Sequence, residues 1–77
     1  MVTELVALIV QNLVLEPEKL TISSREGEHG LAVEIRCAPD DVGRIIGRGG
    51  RTISSIRTLA RAASEGQERV EVQLLNA

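Results

Sequence analysis

The chain has 77 residues and a formal net charge of -2, with 43% hydrophobic residues, 26% charged residues and no Phe, Trp or Tyr. This balance is typical of a small globular protein and argues against a disordered or fibrous chain. The single cysteine, Cys37, excludes an intrachain disulfide and a cysteine zinc site, which is consistent with a reducing compartment.

The N-terminal segment predicts an amphipathic helix from Thr3, the expected N-cap, to about Val14, before Pro17 stops the pattern. Leu8 and Leu15 fall on the polar side, either as scattered surface residues or as a contact with another chain. The residues expected to face the core recur at helical spacing: Val2, Leu5, Val6, Ile9 and Leu13.

The same apolar run is interrupted by Gln11 and Asn12 and falls short of the roughly 20 residues that a spanning helix needs. It also lacks the basic start and the small-residue cleavage pattern of a secretory signal. We therefore expect a cytoplasmic protein without a membrane span.

Three stretches alternate apolar and polar residues and predict strands: 19–25, 31–37 and 69–75. The first two are joined by "EGEHG", residues 26–30, which predicts a loop or a hairpin connection. Each strand has one apolar and one charged face, so we expect helices to cover only one face of the sheet.

Two helices are predicted between the second and third strands. A short one lies within "APDDVGRII", with Asp40 or Asp41 as its cap, and a longer one runs from Arg51 to about Ser64, ended by Gly66. The apolar stripe of the longer helix is Ile53, Ile56, Leu59, Ala60 and Ala63. The complete order is α-β-β-α-α-β, an α+β fold with a three-stranded sheet.

Charge is strongly segregated along the chain. Residues 42–64 contain five arginines and no acidic residue, a charge of +5, whereas the remainder carries -7. Within the basic segment, three glycines occupy four positions, at Gly47, Gly49 and Gly50. Bare backbone where a helix begins allows a phosphate to approach closely, and a local positive field attracts it.

Known phosphate loops do not fit this segment. The pattern GxGxxG requires a glycine at Thr52, and a P-loop requires glycine at Ile45 and lysine at Arg51. The sequence also has no nucleophile paired with a base, no carboxylate constellation near the glycines and no metal-ligand spacing. We expect no enzyme activity, no cofactor and no metal.

The stretch "IIGRGGRTI", Ile45 to Ile53, resembles the core of a KH domain, in which an aliphatic pair precedes GxxG, two further residues and another aliphatic residue. The GxxG element is Gly47-Arg48-Gly49-Gly50. The order of elements is similar to the type II arrangement, and residues 1–77 together resemble the small single-domain bacterial KH proteins of the KhpA (YlqC) family.

This resemblance implies a non-catalytic protein that clamps about four single-stranded RNA nucleotides through the GxxG loop and holds the bases in an aliphatic groove. The groove would lie over Ile46, Ile53 and Ile56 with the strand from Leu31 to Cys37 as its rim. Glu26 and Glu28 of the "REGEHG" loop would border it unfavourably for phosphate. The residues expected to contact RNA are Gly47, Arg48, Gly49, Gly50, Arg44, Arg51, Ile46, Ile53, Arg57 and Arg61.

The family resemblance also implies a homodimer, or a heterodimer with a larger KhpB (Jag-type) RNA-binding protein, and a role as post-transcriptional regulator or RNA chaperone in cell elongation and division. The surface used would be the Leu8 and Leu15 side of the first helix or the glycine loop. The alternative is a protein-interaction module that uses the KH scaffold and binds little RNA by itself.

Overall fold

A computed structural model describes residues 1–76, which form three helices and three strands in the order that the sequence predicts. The helices are α1 (Val2–Gln11), α2 (Val42–Ile46) and α3 (Arg51–Ala63). The strands are β1 (Thr21–Gly27), β2 (Gly30–Arg36) and β3 (Val70–Leu74). Short 3₁₀ turns occupy Pro17–Lys19, Pro39–Asp41 and Arg48–Gly50.

The sheet has the order β1-β2-β3. β1 is antiparallel to β2, with Ile22 opposite Ile35, and β2 is parallel to β3, with Val33 opposite Val72. Along β2, Leu31, Val33 and Ile35 are buried while the intervening residues are partly or fully exposed. The helices therefore cover one face, which confirms the predicted α+β architecture.

The sequence placed the bounds of α1 incorrectly. The helix begins at Val2, after Met1 and without a side-chain cap, so Thr3 is not the N-cap. It ends at Gln11 because the Asn12 side chain donates to the carbonyl oxygen of Leu8 at 2.7 Å and replaces the next helical hydrogen bond.

The buried stripe of α1 is rotated relative to the prediction. Leu5, Ile9 and Leu13 are only half-buried, whereas Leu8 and Leu15 are exposed as expected. A strict four-residue spacing places β-branched residues deepest in the core: Val2, Val6, Val10 and Val14. The two stripes are adjacent on a 3.6-residue helix, so periodicity alone does not distinguish them.

The stripe of α3 is narrower than predicted. Ile53, Ile56 and Ala60 are buried, Ala63 is half-buried, and Leu59 is 49% exposed. Leu59 lies at the margin of the stripe, as its helical position relative to Ile56 and Ala60 implies. The hairpin between β1 and β2 is also tighter than expected, because the strands continue through the predicted loop and leave only a two-residue turn.

Asp41 has a different role from the predicted helix cap. It is 1% exposed, makes no side-chain cap hydrogen bond to α2, and points into the protein. Its carboxylate accepts hydrogen bonds from the backbone N–H groups of Leu15 at 3.0 Å and Glu16 at 3.1 Å. Asp41 thus attaches the start of α2 to the segment that follows α1, a contact across 26 residues of sequence.

Candidate nucleic-acid interface

The glycine loop, residues 47–50, reverses the chain between α2 and α3. Three of its residues have positive φ: Gly47 at 76°, Gly49 at 64° and Gly50 at 78°. The Gly47 N–H donates to the carbonyl oxygen of Gly43 at 2.9 Å, and the Gly50 N–H donates to that of Gly47 at 3.1 Å. Residues with a Cβ avoid these conformations, which explains the local choice of glycine.

The three glycines face different surroundings. A Cβ on Gly47 would lie 2.1 Å from the Thr52 Oγ1 atom and 2.6 Å from the Thr52 Cβ atom, so this position is closed by the first turn of α3. A Cβ on Gly49 or Gly50 would meet nothing within 4 Å. Packing therefore accounts for Gly47, and bare backbone faces open space at Gly49 and Gly50.

Two arginines beside the glycine loop have uncommitted guanidinium groups. Arg48 and Arg51 are exposed, and neither makes an ion pair or a side-chain hydrogen bond within residues 1–76. Arg44 is anchored instead: its Nη1 atom donates to the Asp40 carbonyl oxygen at 2.9 Å and lies 3.6 Å from the Asp41 Oδ1 atom. Arg48 and Arg51 therefore adjoin the start of α3, and Arg44 lies in the preceding helix α2.

Arg57 and Arg61 lie farther along α3, on the side that faces β3. The Arg57 Nε atom donates to the carbonyl oxygen of Val72 at 3.1 Å. Arg61 is exposed one turn later, and both arginines line a shallow groove of about 310 Å³ against β3. The groove is completed by Glu71, Val72 and Gln73.

This groove borders β3, whereas the family resemblance implies an RNA groove rimmed by the strand from Leu31 to Cys37. β2 is the central strand, and its apolar side chains lie in the core, so they offer little exposed apolar surface. β3 is an edge strand, bonded to β2 through the Arg69 carbonyl and the Leu75 N–H. Alternate backbone groups, including those of Val72, therefore point to the free edge.

The aliphatic residues that the sequence assigned to the interface pack in the hydrophobic core or against it. Ile53 and Ile56 are 7% and 2% exposed, and Ile46 is half-buried against the core. Sequence analysis did not identify Val72 and Gln73, because nothing in the alternation of the last strand indicates that it lies at the edge beside α3.

The hairpin carboxylates lie away from the glycine loop. Glu26 lines a separate cavity with Ala63, Ser64 and Glu65 at the C-terminal end of α3, and the helix is about 20 Å long. Glu26 therefore lies near the end of α3 that is opposite the glycine loop.

Other chemistry is limited in the described part of the chain. Residues 1–76 contain no group of three or more His, Cys, Asp or Glu side chains placed to hold a metal ion. Cys37 is 8% exposed, and burial raises the pKa of its thiol, which disfavours the reactive thiolate. Within the same residues, no helix has the length and apolar character needed to cross a membrane.

Comparison with known proteins agrees with this geometry. The family model described as "KhpA/KhpB, KH domain" matches residues 3–74. The chain is 41% identical over 73 residues to a protein of Chlamydia pneumoniae named RNA-binding protein KhpA, with 94% of each chain covered. It is 39% identical over 74 residues to the protein of the same name from Borreliella burgdorferi, covering 95% of this chain and 90% of the relative. This chain belongs to the KhpA/KhpB family of KH-domain proteins.

Proposed function

We propose that this protein binds short single-stranded RNA without catalysing a reaction, and that the glycine loop holds the sugar-phosphate backbone. The observation that carries the proposal is the open backbone at Gly49 and Gly50, flanked by the unpaired guanidinium groups of Arg48 and Arg51. Relatives named as RNA-binding proteins support the same function. Residues 1–77 would act as one KH domain.

The first turn of α3 favours an anion. α3 has 13 residues, begins at Arg51 and has no side-chain cap. The Arg51 N–H donates to the Arg48 carbonyl oxygen, so capacity for a ligand oxygen remains on the N–H groups that follow it in the first turn. The helix dipole adds partial positive charge at the same place. A phosphate seated over Gly49 and Gly50 would meet these N–H groups and the two arginines together.

Bases would then lie in the groove between α3 and β3. Arg57 and Arg61 line one side, and the edge of β3 at Val72 and the Gln73 side chain line the other; the Val72 carbonyl oxygen already accepts from the Arg57 Nε atom. Hydrogen bonds from an edge strand and from amide side chains can contact base edges without aromatic stacking. Because the chain has no aromatic residue, each base contributes less, and we expect weak, salt-sensitive binding.

Weak binding by one domain favours action in pairs, since linking two sites can raise avidity by about a hundredfold. We propose a homodimer, or a heterodimer with a KhpB (Jag-type) protein, acting in the cytoplasm as a post-transcriptional regulator or RNA chaperone in cell elongation and division. Exposed apolar side chains support a protein contact of this kind: Leu8 at 60%, Leu15 at 69% and Leu59 at 49% exposure.

The decisive experiment is a titration of fluorescently labelled single-stranded RNA with the variant Arg48→Asp/Gly49→Asp. We expect affinity to fall by about tenfold or more, a change of at least about 1.4 kcal/mol, because phosphate would meet two carboxylates in place of bare backbone and a guanidinium. The melting temperature should change little, since Asp tolerates positive φ better than most residues and both positions are exposed.

A matched control, Gly27→Asp/Arg36→Asp, carries the same two types of substitution away from the glycine loop. Gly27 lies beside the hairpin turn, and Arg36 lies at the other end of β2. Gly27 has ordinary φ and open space around it, and Arg36 is exposed. RNA affinity should decrease much less in the control, by only the long-range effect of the charge. Equal losses in the two variants would reject the clamp at the glycine loop.

The second candidate function is a protein-interaction module with little RNA binding, which the exposure of Leu8, Leu15 and Leu59 favours. Sedimentation with and without RNA separates the two functions. A dimer that does not retain RNA at low salt, and that becomes monomeric when Arg48 and Gly49 are replaced by aspartate, would establish the interaction module instead.

A further inference from the structure

The outer edge of β1 is left uncovered by the described part of the chain. β1 is the first strand of the sheet, and within residues 1–76 its backbone makes hydrogen bonds only in the ladder with β2. The other edge of the sheet, at β3, differs because Arg57 already donates to the Val72 carbonyl oxygen. An uncovered strand of this kind can pair with a further strand.

The pairing of β2 shows which backbone groups of β1 point outward. The Leu31 N–H and the Ile35 carbonyl oxygen are hydrogen-bonded to residues that flank β3, each at 2.8 Å, so these residues direct their backbone away from β1. They lie opposite Glu26 and Ile22. By the alternation of an antiparallel ladder, the N–H and C=O groups of Ile22, Ser24 and Glu26 therefore face the outer edge.

Two recesses follow one another along this edge. Because Leu31 and Ile35 are buried, the side chains opposite them lie on the helix-covered face of the sheet. The first recess is a groove of about 380 Å³, lined by Ala7, Gln11, Pro17, Leu20 and Ile22. The second is the cavity of about 520 Å³ at the C-terminal end of α3, to which Ser24 and Glu26 contribute. A strand added about 4.8 Å from β1 would place alternate side chains over the groove and then over the cavity.

The two recesses differ in chemistry. Glu26, Glu65 and Glu68 contribute to the lining of the cavity and make no ion pair within residues 1–76. The C-terminal end of α3 adds partial negative charge at the same place. The cavity therefore favours a basic side chain. The groove has no charged residue in its lining and fits an apolar side chain.

We propose that the outer edge of β1 docks an extended peptide segment of another protein, added as an antiparallel strand, with basic side chains over the cavity and apolar side chains over the groove. The outward backbone groups would supply the main-chain hydrogen bonds, and the two recesses would supply the specificity. Antiparallel pairing is the commoner arrangement and the slightly more stable one.

A second copy of the chain complements this edge poorly. The antiparallel register that pairs all of Thr21–Gly27 with itself is centred on Ser24 and places Glu26 opposite Ile22 of the other copy. It would also bring two acidic cavities together. The docking edge is separate from the glycine loop, so the inference does not rest on the proposed RNA-binding function.

The test is fluorescence polarisation with a short labelled peptide in which threonine alternates first with arginines and then with leucines. The wild type should bind this peptide more tightly than one with glutamates in place of the arginines. Ser24→Pro should weaken binding by about tenfold, because proline removes an outward N–H. Ser24→Ala retains the N–H and should bind as the wild type does. Proline is tolerated where an edge N–H faces solvent, so both variants should fold.

A second pair of variants tests the charge of the cavity. Glu65→Gln/Glu68→Gln should weaken binding of the arginine peptide by about threefold. The matched control, Asp40→Asn/Glu71→Gln, removes the same charge from exposed residues that do not line the cavity, and its affinity should not change. Ser24→Pro should bind RNA as the wild type does.

Amide shift mapping on the wild type is independent of any variant. The arginine peptide should move the resonances of Ile22, Ser24 and Glu26 and leave those of Gly49 and Gly50 in place.

Several outcomes overturn the inference. The first is no binding of the arginine peptide by the wild type, and the second is equal affinity in Ser24→Pro and Ser24→Ala. Equal affinity for the arginine and glutamate peptides would reject the role of the cavity. A dimer in sedimentation that Ser24→Pro dissociates, without peptide binding, would assign the edge to a second copy instead.

Discussion

The two ends of α3 have opposite character. At its start, Arg48 and Arg51 surround the open backbone of Gly49 and Gly50. At its end lies a cavity of about 520 Å³, larger than the groove beside β3, and four glutamates contribute to its lining: Glu4, Glu26, Glu65 and Glu68. A polyanion would be repelled from this larger cavity, so charge and bare backbone, and not cavity volume, favour the glycine loop as the proposed site.

The difference extends to how each end is built. At the basic end, the carboxylate of Asp41 is withdrawn from the surface, because it is buried, accepts two backbone hydrogen bonds and pairs with Arg44. At the acidic end, the glutamates line the cavity itself. A net charge of -2 for the whole chain conceals both local fields.

The largest change in the free energy of unfolding should come from replacing a glycine next to one end of α3, and the matching replacement at the other end should cost less. Gly47→Ala should lower the free energy of unfolding by about 3 kcal/mol or more, because positive φ and the clash with Thr52 act together. Gly66→Ala should lower it by about 1 to 2 kcal/mol, since φ is 74° but the space is open. Urea denaturation measures both values, and similar losses would contradict the closed packing around Gly47.

The next largest effect concerns Asp41, the buried carboxylate near the basic end of α3. Asp41→Ala should lower the free energy of unfolding by about 2 to 3 kcal/mol, because the N–H groups of Leu15 and Glu16 would be left without their charged acceptor. Asp40→Ala is the control: its side chain is exposed, and a change within about 0.5 kcal/mol is expected. Urea denaturation distinguishes the two variants. Equal stability of Asp41→Ala and Asp40→Ala would show that the hydrogen bonds of Asp41 do not stabilise the fold.

The smallest effect is on the salt dependence of RNA binding, and it compares the basic end of α3 with the acidic end. Replacing Arg48 and Arg51 by glutamine should reduce the slope of log K against log salt for RNA by about 1.4, which is about 0.7 for each phosphate that an arginine no longer neutralises. Replacing Glu65 and Glu68 by glutamine at the other end should leave the slope unchanged. Fluorescence titrations between 50 and 200 mM salt, about the range over which such slopes are measured, provide the comparison, and an equal change in slope at both ends would argue against local recognition.

Features that depend on neighbours within a turn or two were predictable from the sequence. Alternation identified β1, β2 and β3, the apolar stripe located α3 from Arg51, and the clustered glycines marked the reversal before it. Even here the finer boundaries required contacts: the side chain of Asn12, which ends α1 early, competes with the helix in a way that periodicity does not report.

The sequence by itself determined the order of the elements, the separation of arginines from acids and the place of the glycine loop, because each follows from local conformational preference and composition. Only the tertiary structure decided that β3 is the edge strand beside Arg57, that Asp41 points inward to Leu15, and that Gly47 is closed while Gly49 is open. These properties join residues far apart in the chain or set how side chains pack in space, and such contacts are selected by burial of the whole core.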